Sequence, residues 1–70
     1  MAQRITIDPA VMVGKPVIKG TRVAVDHILK RLAHGETEAE ILDEYPGLTS
    51  DDIRACLLFA TRSLEDTAFM

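Results

Sequence analysis

The chain has 70 residues, of which 47% are hydrophobic, with a net charge of −3 and a single cysteine, Cys56. This length allows one small domain, residues 1–70, and a lone cysteine excludes an internal disulfide. Because no apolar run approaches the length of a membrane span and no stretch has the pattern of a signal peptide, we expect a cytoplasmic protein with no membrane partner.

The N-terminal part is rich in residues that favour β-strands. Residues 4–7 alternate polar and β-branched apolar side chains, which predicts a strand with one buried face, and Asp8-Pro9 then marks a turn. Two further short strands are predicted at residues 16–18 and 22–24, separated by a turn in which Gly20 adopts a positive φ. This pattern predicts short N-terminal strands that include a hairpin.

The next segment predicts two short helices, at about residues 25–34 and 38–45. Apolar residues recur at helical spacing along the first of them: Val25, Ile28, Leu29 and Leu32. Gly35 is placed to end this helix in a left-handed conformation. Thr37 and Glu40 have the spacing of a capping box, which predicts the start of the second helix.

A third helix is predicted at about residues 50–65, with Thr49 or Ser50 as its N-cap. Its main apolar stripe consists of Ile53, Leu57, Ala60 and Leu64. A second stripe lies on roughly the opposite side and consists of Ala55, Leu58, Phe59 and Arg62. Because so small a core is marginal alone, we expect a homodimer with this second face at the interface. Alternatively, the N-terminal strands cover the second face within one chain.

Together these elements predict an α+β domain in which short strands precede three helices joined by tight turns, an arrangement compatible with a helix-turn-helix. The charges divide unevenly along it. Residues 1–35 contain six Lys or Arg and two Asp or Glu, a net +4, whereas residues 36–70 contain two and nine, a net −7. This asymmetry allows the N-terminal half to meet an anionic partner, although simple solvation of both halves also explains it.

No arrangement of residues predicts an enzyme, a metal site or a cofactor, and none suggests a small-molecule substrate. His27 and His34 lie about 10 Å apart along the first helix, too far to share one metal ion. Cys56 is expected to be a buried small side chain, because it lies at the edge of the main apolar stripe of the third helix. The Gly14-Lys15 pair lacks the upstream glycine of a phosphate-binding loop.

Nucleic-acid binding through the third helix is not favoured, because Asp51 and Asp52 at its start would repel phosphates. If DNA is bound, or another anionic partner, the candidate contacts are the cations of the N-terminal half. They are Lys15, Lys19, Arg22, Lys30 and Arg31.

Several motifs make the chain resemble the domain of unknown function 433 family, from about Ile5 to Ala60. They are Ile7-Asp8-Pro9, Gly14-Lys15-Pro16-Val17-Ile18, Gly20-Thr21-Arg22, Val25, Leu32-Ala33-His34-Gly35, Ile41-Leu42, Tyr45-Pro46, Leu48-Thr49 and Asp52-Ile53. The resemblance implies a small bacterial or archaeal protein with a helix-turn-helix-like core. It also implies an antitoxin-like role beside a PIN-like nuclease toxin. The family has no established catalytic residues, so none is carried over to this chain.

Arg22 is the residue expected to serve that role, because a guanidinium can pair with the carboxylates of such a nuclease at two points. The competing interpretation is that Arg22 braces the hairpin by bonding to local carbonyl groups or to Asp26. We therefore predict a non-enzymatic antitoxin-like protein that binds a PIN-like toxin; operator DNA is a second candidate partner. The alternative is a helix-turn-helix-like DNA-binding regulator that acts without a toxin.

Overall fold

The computed structural model describes residues 4–7 and 14–67, with side chains as far as residue 65, and confirms the predicted α+β fold. Two strands, β1 (Ile5–Ile7) and β2 (Pro16–Ile18), precede three helices. The helices are α1 (Val25–Ala33), α2 (Glu38–Glu44) and α3 (Ser50–Thr67). In the described part of the chain, no helix combines the length and apolarity that crossing a bilayer requires.

The two strands pair in antiparallel fashion, with Ile5 opposite Ile18 and Ile7 opposite Pro16. The third strand predicted at residues 22–24 is wrong: only Ala24 forms a bridge, to Val17. The physical reason is lack of length, because the turn after Ile18 extends to the residue before Ala24 and α1 begins immediately after it. The turn predicted at Asp8-Pro9 lies outside the described residues.

The ends of α1 and α2 follow the predicted local chemistry. Gly35 has a φ of 95°, so the chain leaves α1 in the left-handed region that glycine adopts without strain. The capping box at α2 is confirmed: the Thr37 hydroxyl accepts from the Glu40 amide at 3.1 Å, and the Glu40 carboxylate accepts from the Thr37 amide at 2.8 Å. Both helices end one residue before their predicted ends, at Ala33 and Glu44.

The buried face of α3 differs from the predicted main stripe. Ile53 is buried as expected, but the next fully buried position is Cys56, while Leu57 is 48% exposed and Leu64 is 71% exposed. Since α3 packs against β1 as well as against α1 and α2, its inward face is turned toward Cys56. From Thr61 to Glu65 every position is exposed, so the first half of α3 supplies most of its packing.

The core joins one or more side chains from every element. Its buried members are Ile5, Ile18, Val25, Ile28, Ile41, Leu48, Ile53 and Cys56. Among the described residues one carboxylate, Asp52, is also buried, with 7% of its surface exposed. Asp52 accepts hydrogen bonds from the Thr49 amide at 3.0 Å and from Nη1 of Arg4 at 3.1 Å. Arg4 thus ties the start of β1 to the start of α3, and the paired charge makes burial tolerable.

Candidate functional site

A groove between the turn after β2 and one face of α1 collects most of the cations predicted as partner contacts. We call it the basic groove; it is lined by Lys15, Arg22, Val23, Ala24, Asp26, His27, Lys30 and Tyr45. Three of its lining residues are always cationic at neutral pH and one is anionic, so with neutral histidine the groove carries a net charge of +2. Such a concave cationic surface favours an anionic partner.

The turn that follows β2 fixes the position of Arg22 at this groove. Gly20 has a φ of 83°, and the Thr21 hydroxyl donates to the Ile18 carbonyl oxygen at 2.7 Å. The same hydroxyl accepts from the Val23 amide at 3.0 Å, so both residues next to Arg22 are held. Arg22 itself is exposed, and within the described part of the chain its side chain makes no hydrogen bond or ion pair.

The two lysines that line the groove with Arg22 differ in their ion pairing: Lys15 contacts a carboxylate, whereas Lys30 contacts none among the described residues. Nζ of Lys15 lies 3.4 Å from Oδ2 of Asp26, and both side chains are more than half exposed. An exposed pair of this length contributes little to stability, so Lys15 can exchange Asp26 for another anion. Lys30 stands four residues after Asp26 on α1, on the same face of the helix. The predicted brace between Arg22 and Asp26 is absent from the described contacts, since Asp26 pairs with Lys15 instead.

Two aromatic side chains complete the basic groove. The Tyr45 hydroxyl and Nε2 of His27 lie 3.0 Å apart in a hydrogen bond whose donor depends on the histidine tautomer. The rings meet edge to face, with centroids 6.2 Å apart and planes at 88°. Tyr45 immediately follows α2, so this contact connects the end of α2 to the start of α1.

Arg31 does not line the basic groove and its charge is balanced within the chain. Nε of Arg31 donates to Glu36 at 2.9 Å and 3.0 Å, and Nη2 donates to both Glu36 and Glu44. The guanidinium also lies over the Tyr45 ring, 5.6 Å from its centroid. We call Arg31, Glu36 and Glu44 the ion-pair cluster.

The ion-pair cluster shifts the titration of all its members. Hydrogen bonds to Glu36 and Glu44 raise the pKa of Arg31, while the hydrogen bonds from Arg31 hold the pKa of each of these carboxyls below its ordinary value. The Arg31 side chain is only 17% exposed. A partner contact by Arg31 stays a prediction, and it would require breaking bonds that join α1 to α2.

Lys19 lies apart from the other predicted contact residues. It lines a different groove, together with Ile5, Thr6, Ile7 and Phe59. The structure therefore divides the five predicted contacts into three groups: Lys15, Arg22 and Lys30 in the basic groove, Lys19 beside β1, and Arg31 in the ion-pair cluster.

The four residues predicted for a dimer interface differ in how far they are exposed. Ala55 and Phe59 are half-buried and pack against the core of the same chain, whereas Leu58 is 56% exposed and Arg62 is exposed. The alternative prediction, that the N-terminal strands cover this face, describes Phe59 in part, since Phe59 borders a groove with β1. Leu58 and Arg62 remain the candidates for an interface.

Sequence reasoning missed two ion pairs, that of Arg4 with Asp52 and that of Lys15 with Asp26. The Thr49-x-x-Asp52 spacing is a signal for a capping box and could have placed Asp52 inward. The pairing of Asp52 with Arg4 spans 48 residues and leaves no local pattern. It also balances part of the acidic charge at the start of α3, because Nη2 of Arg4 lies 3.6 Å from Asp51. The expected repulsion of phosphates by Asp51 and Asp52 is therefore weaker than the sequence indicates.

The described residues offer little for catalysis or metal binding. Cys56 is fully buried as predicted, and desolvation, aided by the nearby Asp52 carboxylate, raises the pKa of its thiol to about 11. Such a thiol is protonated and inert at neutral pH. No group of three or more His, Cys, Asp or Glu within residues 4–7 and 14–67 is arranged to hold a metal ion.

Known proteins with similar sequence or structure agree on one family. The family model described as "Protein of unknown function (DUF433)" matches residues 5–60. A crystal structure of a DUF433 member protein from Anabaena variabilis superposes with a TM-score of 0.83 and 32% sequence identity, covering 90% of this chain and 62% of that one.

Two curated proteins are also similar. The "Uncharacterized protein y4eO" from Sinorhizobium fredii is 32% identical over 56 residues, 80% of this chain, and the match spans 25% of that protein. An "Uncharacterized protein" from Archaeoglobus fulgidus is 67% identical over 24 residues, 34% of this chain and 67% of that protein. The chain thus corresponds to a quarter of the length of the first relative. Since the family match covers most of its residues, the chain belongs to the DUF433 family.

Proposed function

We propose that this protein is a non-enzymatic, antitoxin-like module that binds a nuclease partner of the PIN-like type in the cytoplasm. One observation carries the proposal: Arg22 is an exposed guanidinium at the rim of the basic groove, held by a fixed turn and unpaired within the described residues. The family resemblance supports the class of partner. PIN-like nucleases gather carboxylates around a metal ion, and a guanidinium fits a carboxylate at two points.

The surroundings of Arg22 support the same partner. Lys15 and Lys30 line the groove beside it, so an acidic surface meets further cations. Long-range attraction between these charges and a carboxylate-rich site would accelerate association. In this mechanism the protein inhibits by occupying the nuclease site, and it needs no reaction of its own.

The test is co-expression with the product of the adjacent reading frame, followed by nuclease assays with purified variants. Arg22→Lys keeps the charge but loses the planar fit, so inhibition weakens; Arg22→Ala weakens it further, by about 2–5 kcal/mol of binding free energy. Arg54→Ala, an exposed change on α3, is the matched control and leaves inhibition intact. Melting curves of the same variants show whether folding is preserved. Full inhibition by a well-folded Arg22→Ala protein would contradict the proposal.

We further propose a homodimer in which exposed residues of α3, including Leu58 and Arg62, contribute to the interface. The support is the exposed apolar surface that Leu57 and Leu58 give a small chain. Leu58→Asp should produce a folded monomer in sedimentation experiments at concentrations where the wild type is a dimer. Phe59→Asp is less informative, because Phe59 packs against the core of its own chain and its loss should unfold the domain. A stable Leu58→Asp dimer would remove Leu58 from the interface.

Binding of operator DNA is the second candidate function, either with the toxin or without it. The basic groove favours it, since Lys15, Arg22 and Lys30 can neutralise phosphates. Each phosphate contact adds about one released counterion to the salt dependence, so Lys30→Glu should weaken binding to every sequence and flatten that dependence. Arg54→Ala should change little. If Arg54→Ala instead relaxed the preference for one base, α3 would be the reading helix.

A further inference from the structure

We propose that the basic groove and an adjoining apolar groove form one docking surface for a partner polypeptide segment that carries carboxylates beside apolar side chains. The inference rests on the proposed role of the basic groove as the partner-binding site, and it adds the chemistry of the segment that is bound. It also gives Asp26 a role, as the residue that sets how tightly this surface binds.

The apolar groove runs between β2, α1 and α3. It is lined by Pro16, Val25, Asp26, Leu29, Phe59, Ala60, Ser63 and Leu64. Asp26 lines both grooves, and Leu29 and Lys30 stand three and four residues after it, next to it on the same helix face. Likewise, Lys15 lines the basic groove and the next residue, Pro16, lines the apolar groove. The two grooves are therefore contiguous, with cations on one side of Asp26 and apolar side chains on the other.

This division of chemistry selects the occupant. A nucleic-acid backbone would satisfy Lys15, Arg22 and Lys30 but would leave the apolar groove without a matching surface. A wholly apolar segment would cover Leu29 and Phe59 but would leave the cations unmatched. A polypeptide with carboxylates next to leucine-like side chains matches both, with charge at one end and apolar area at the other.

Asp26 stands where these two surfaces meet and is itself a carboxylate held by Lys15, at 3.4 Å. An incoming carboxylate competes with Asp26 for the Lys15 ammonium, and the negative charge of Asp26 also repels it. Asp26 therefore lowers the affinity for acidic segments in general and favours partners that also fill the apolar groove. Because both partners of the Lys15–Asp26 pair are exposed, removing this competition should strengthen binding about two- to fivefold.

The experiment titrates the isotope-labelled protein with three short synthetic peptides and follows its amide resonances. One peptide contains both leucine and glutamate, the second has glutamine in place of glutamate, and the third has serine in place of leucine. Only the first should shift resonances in both grooves. For this peptide, Lys30→Glu should lower the affinity about tenfold and Leu64→Ser should lower it severalfold. Asp26→Asn should raise the affinity, whereas Arg54→Glu should bind the peptide as the wild type does.

Each opposite result is decisive. Equal binding of the glutamine peptide would show that the cations are not used, and equal binding of the serine peptide would remove the apolar groove. No shift with any peptide at millimolar concentration would overturn the docking surface. The titration contains no nuclease, so the docking surface and the nuclease partner can fail separately: peptide binding without nuclease inhibition contradicts only the proposed function.

Discussion

The basic groove and the ion-pair cluster are neighbours that use similar side chains differently. In the ion-pair cluster, Arg31 donates hydrogen bonds to Glu36 and Glu44 and so joins α1 to the segment around α2. In the basic groove, Arg22 lies on a fixed turn and pairs with none of the described residues. Tyr45 contacts both regions, since its ring lies under Arg31 and its hydroxyl forms a hydrogen bond with His27 in the basic groove.

The difference shows that a charge counted in the sequence is not a charge available to a partner. Of the six cations in residues 1–35, Arg4 and Arg31 are held by carboxylates of the C-terminal half. The charge asymmetry of the chain is therefore partly internal, because basic residues of one half stabilise the fold by pairing with acidic residues of the other. Lys19, Arg22 and Lys30 are the described cations of that half that remain unpaired.

Charge reversal should separate the two regions most strongly. Arg31→Glu places a third carboxylate against Glu36 and Glu44 and removes the bonds between α1 and α2, so we expect the largest loss of melting temperature of any surface charge change. Arg22→Glu breaks no described contact and should melt close to the wild type. Thermal unfolding followed by circular dichroism measures both. Similar melting temperatures for the two variants would contradict the difference between the ion-pair cluster and the basic groove.

Acid should weaken the ion-pair cluster selectively. Arg31 lowers the pKa of Glu36 and Glu44 in the folded chain below their ordinary value of 4.5, so the folded state binds fewer protons than the unfolded state. The stability that these carboxylates contribute is fully present above pH 4.5 and is lost as the pH falls through their folded pKa values. Unfolding by urea between pH 6 and pH 3 should show this loss.

Arg31→Met supplies the control for that measurement. Without the guanidinium, the pKa of Glu36 and Glu44 should return toward the ordinary value, and the free energy of unfolding should depend less on pH below 4.5. At pH 6 the same variant should be less stable than the wild type. An unchanged pH dependence in Arg31→Met would show that Glu36 and Glu44 are not the source of the acid sensitivity.

Patterns of neighbouring residues in the sequence predicted where the helices end better than they predicted which helix faces are buried. The Thr37–Glu40 capping box and the positive φ of Gly35 depend on residues close in sequence, and both are confirmed. The inward face of α3 depends on how β1 packs on it, so the choice of Cys56 over Leu57 could not be read from periodicity alone.

The candidate site was predictable in part for the same reason. The Gly20-Thr21-Arg22 turn and the spacing of α1 indicate which residues project outward, and three of the five predicted cations line one groove. Arg31 is paired with Glu44, 13 residues away in the sequence, and Arg4 is paired with Asp52, 48 residues away. Such pairings require the tertiary fold, so sequence patterns overestimate the free positive charge.

The smallest expected effect concerns the residue shared by both regions. Tyr45→Phe removes the hydroxyl that meets His27 at 3.0 Å but keeps the ring under Arg31. Because the lost hydrogen bond is exposed, its cost should be near the lower limit for such bonds, about 0.5 kcal/mol, or roughly 2–4 °C in a domain of this size. Tyr45→Leu also loses the aromatic face and should cost more.

Comparing these two variants shows which region Tyr45 serves. If the ring chiefly supports the ion-pair cluster, the melting temperature falls in the order wild type, Tyr45→Phe, Tyr45→Leu, and Arg31→Met removes most of the difference between the last two. If Tyr45→Phe melts as low as Tyr45→Leu, the hydroxyl contact with His27 is the important one. Tyr45 would then stabilise mainly the basic groove, through His27, and its ring would contribute little to the ion-pair cluster around Arg31.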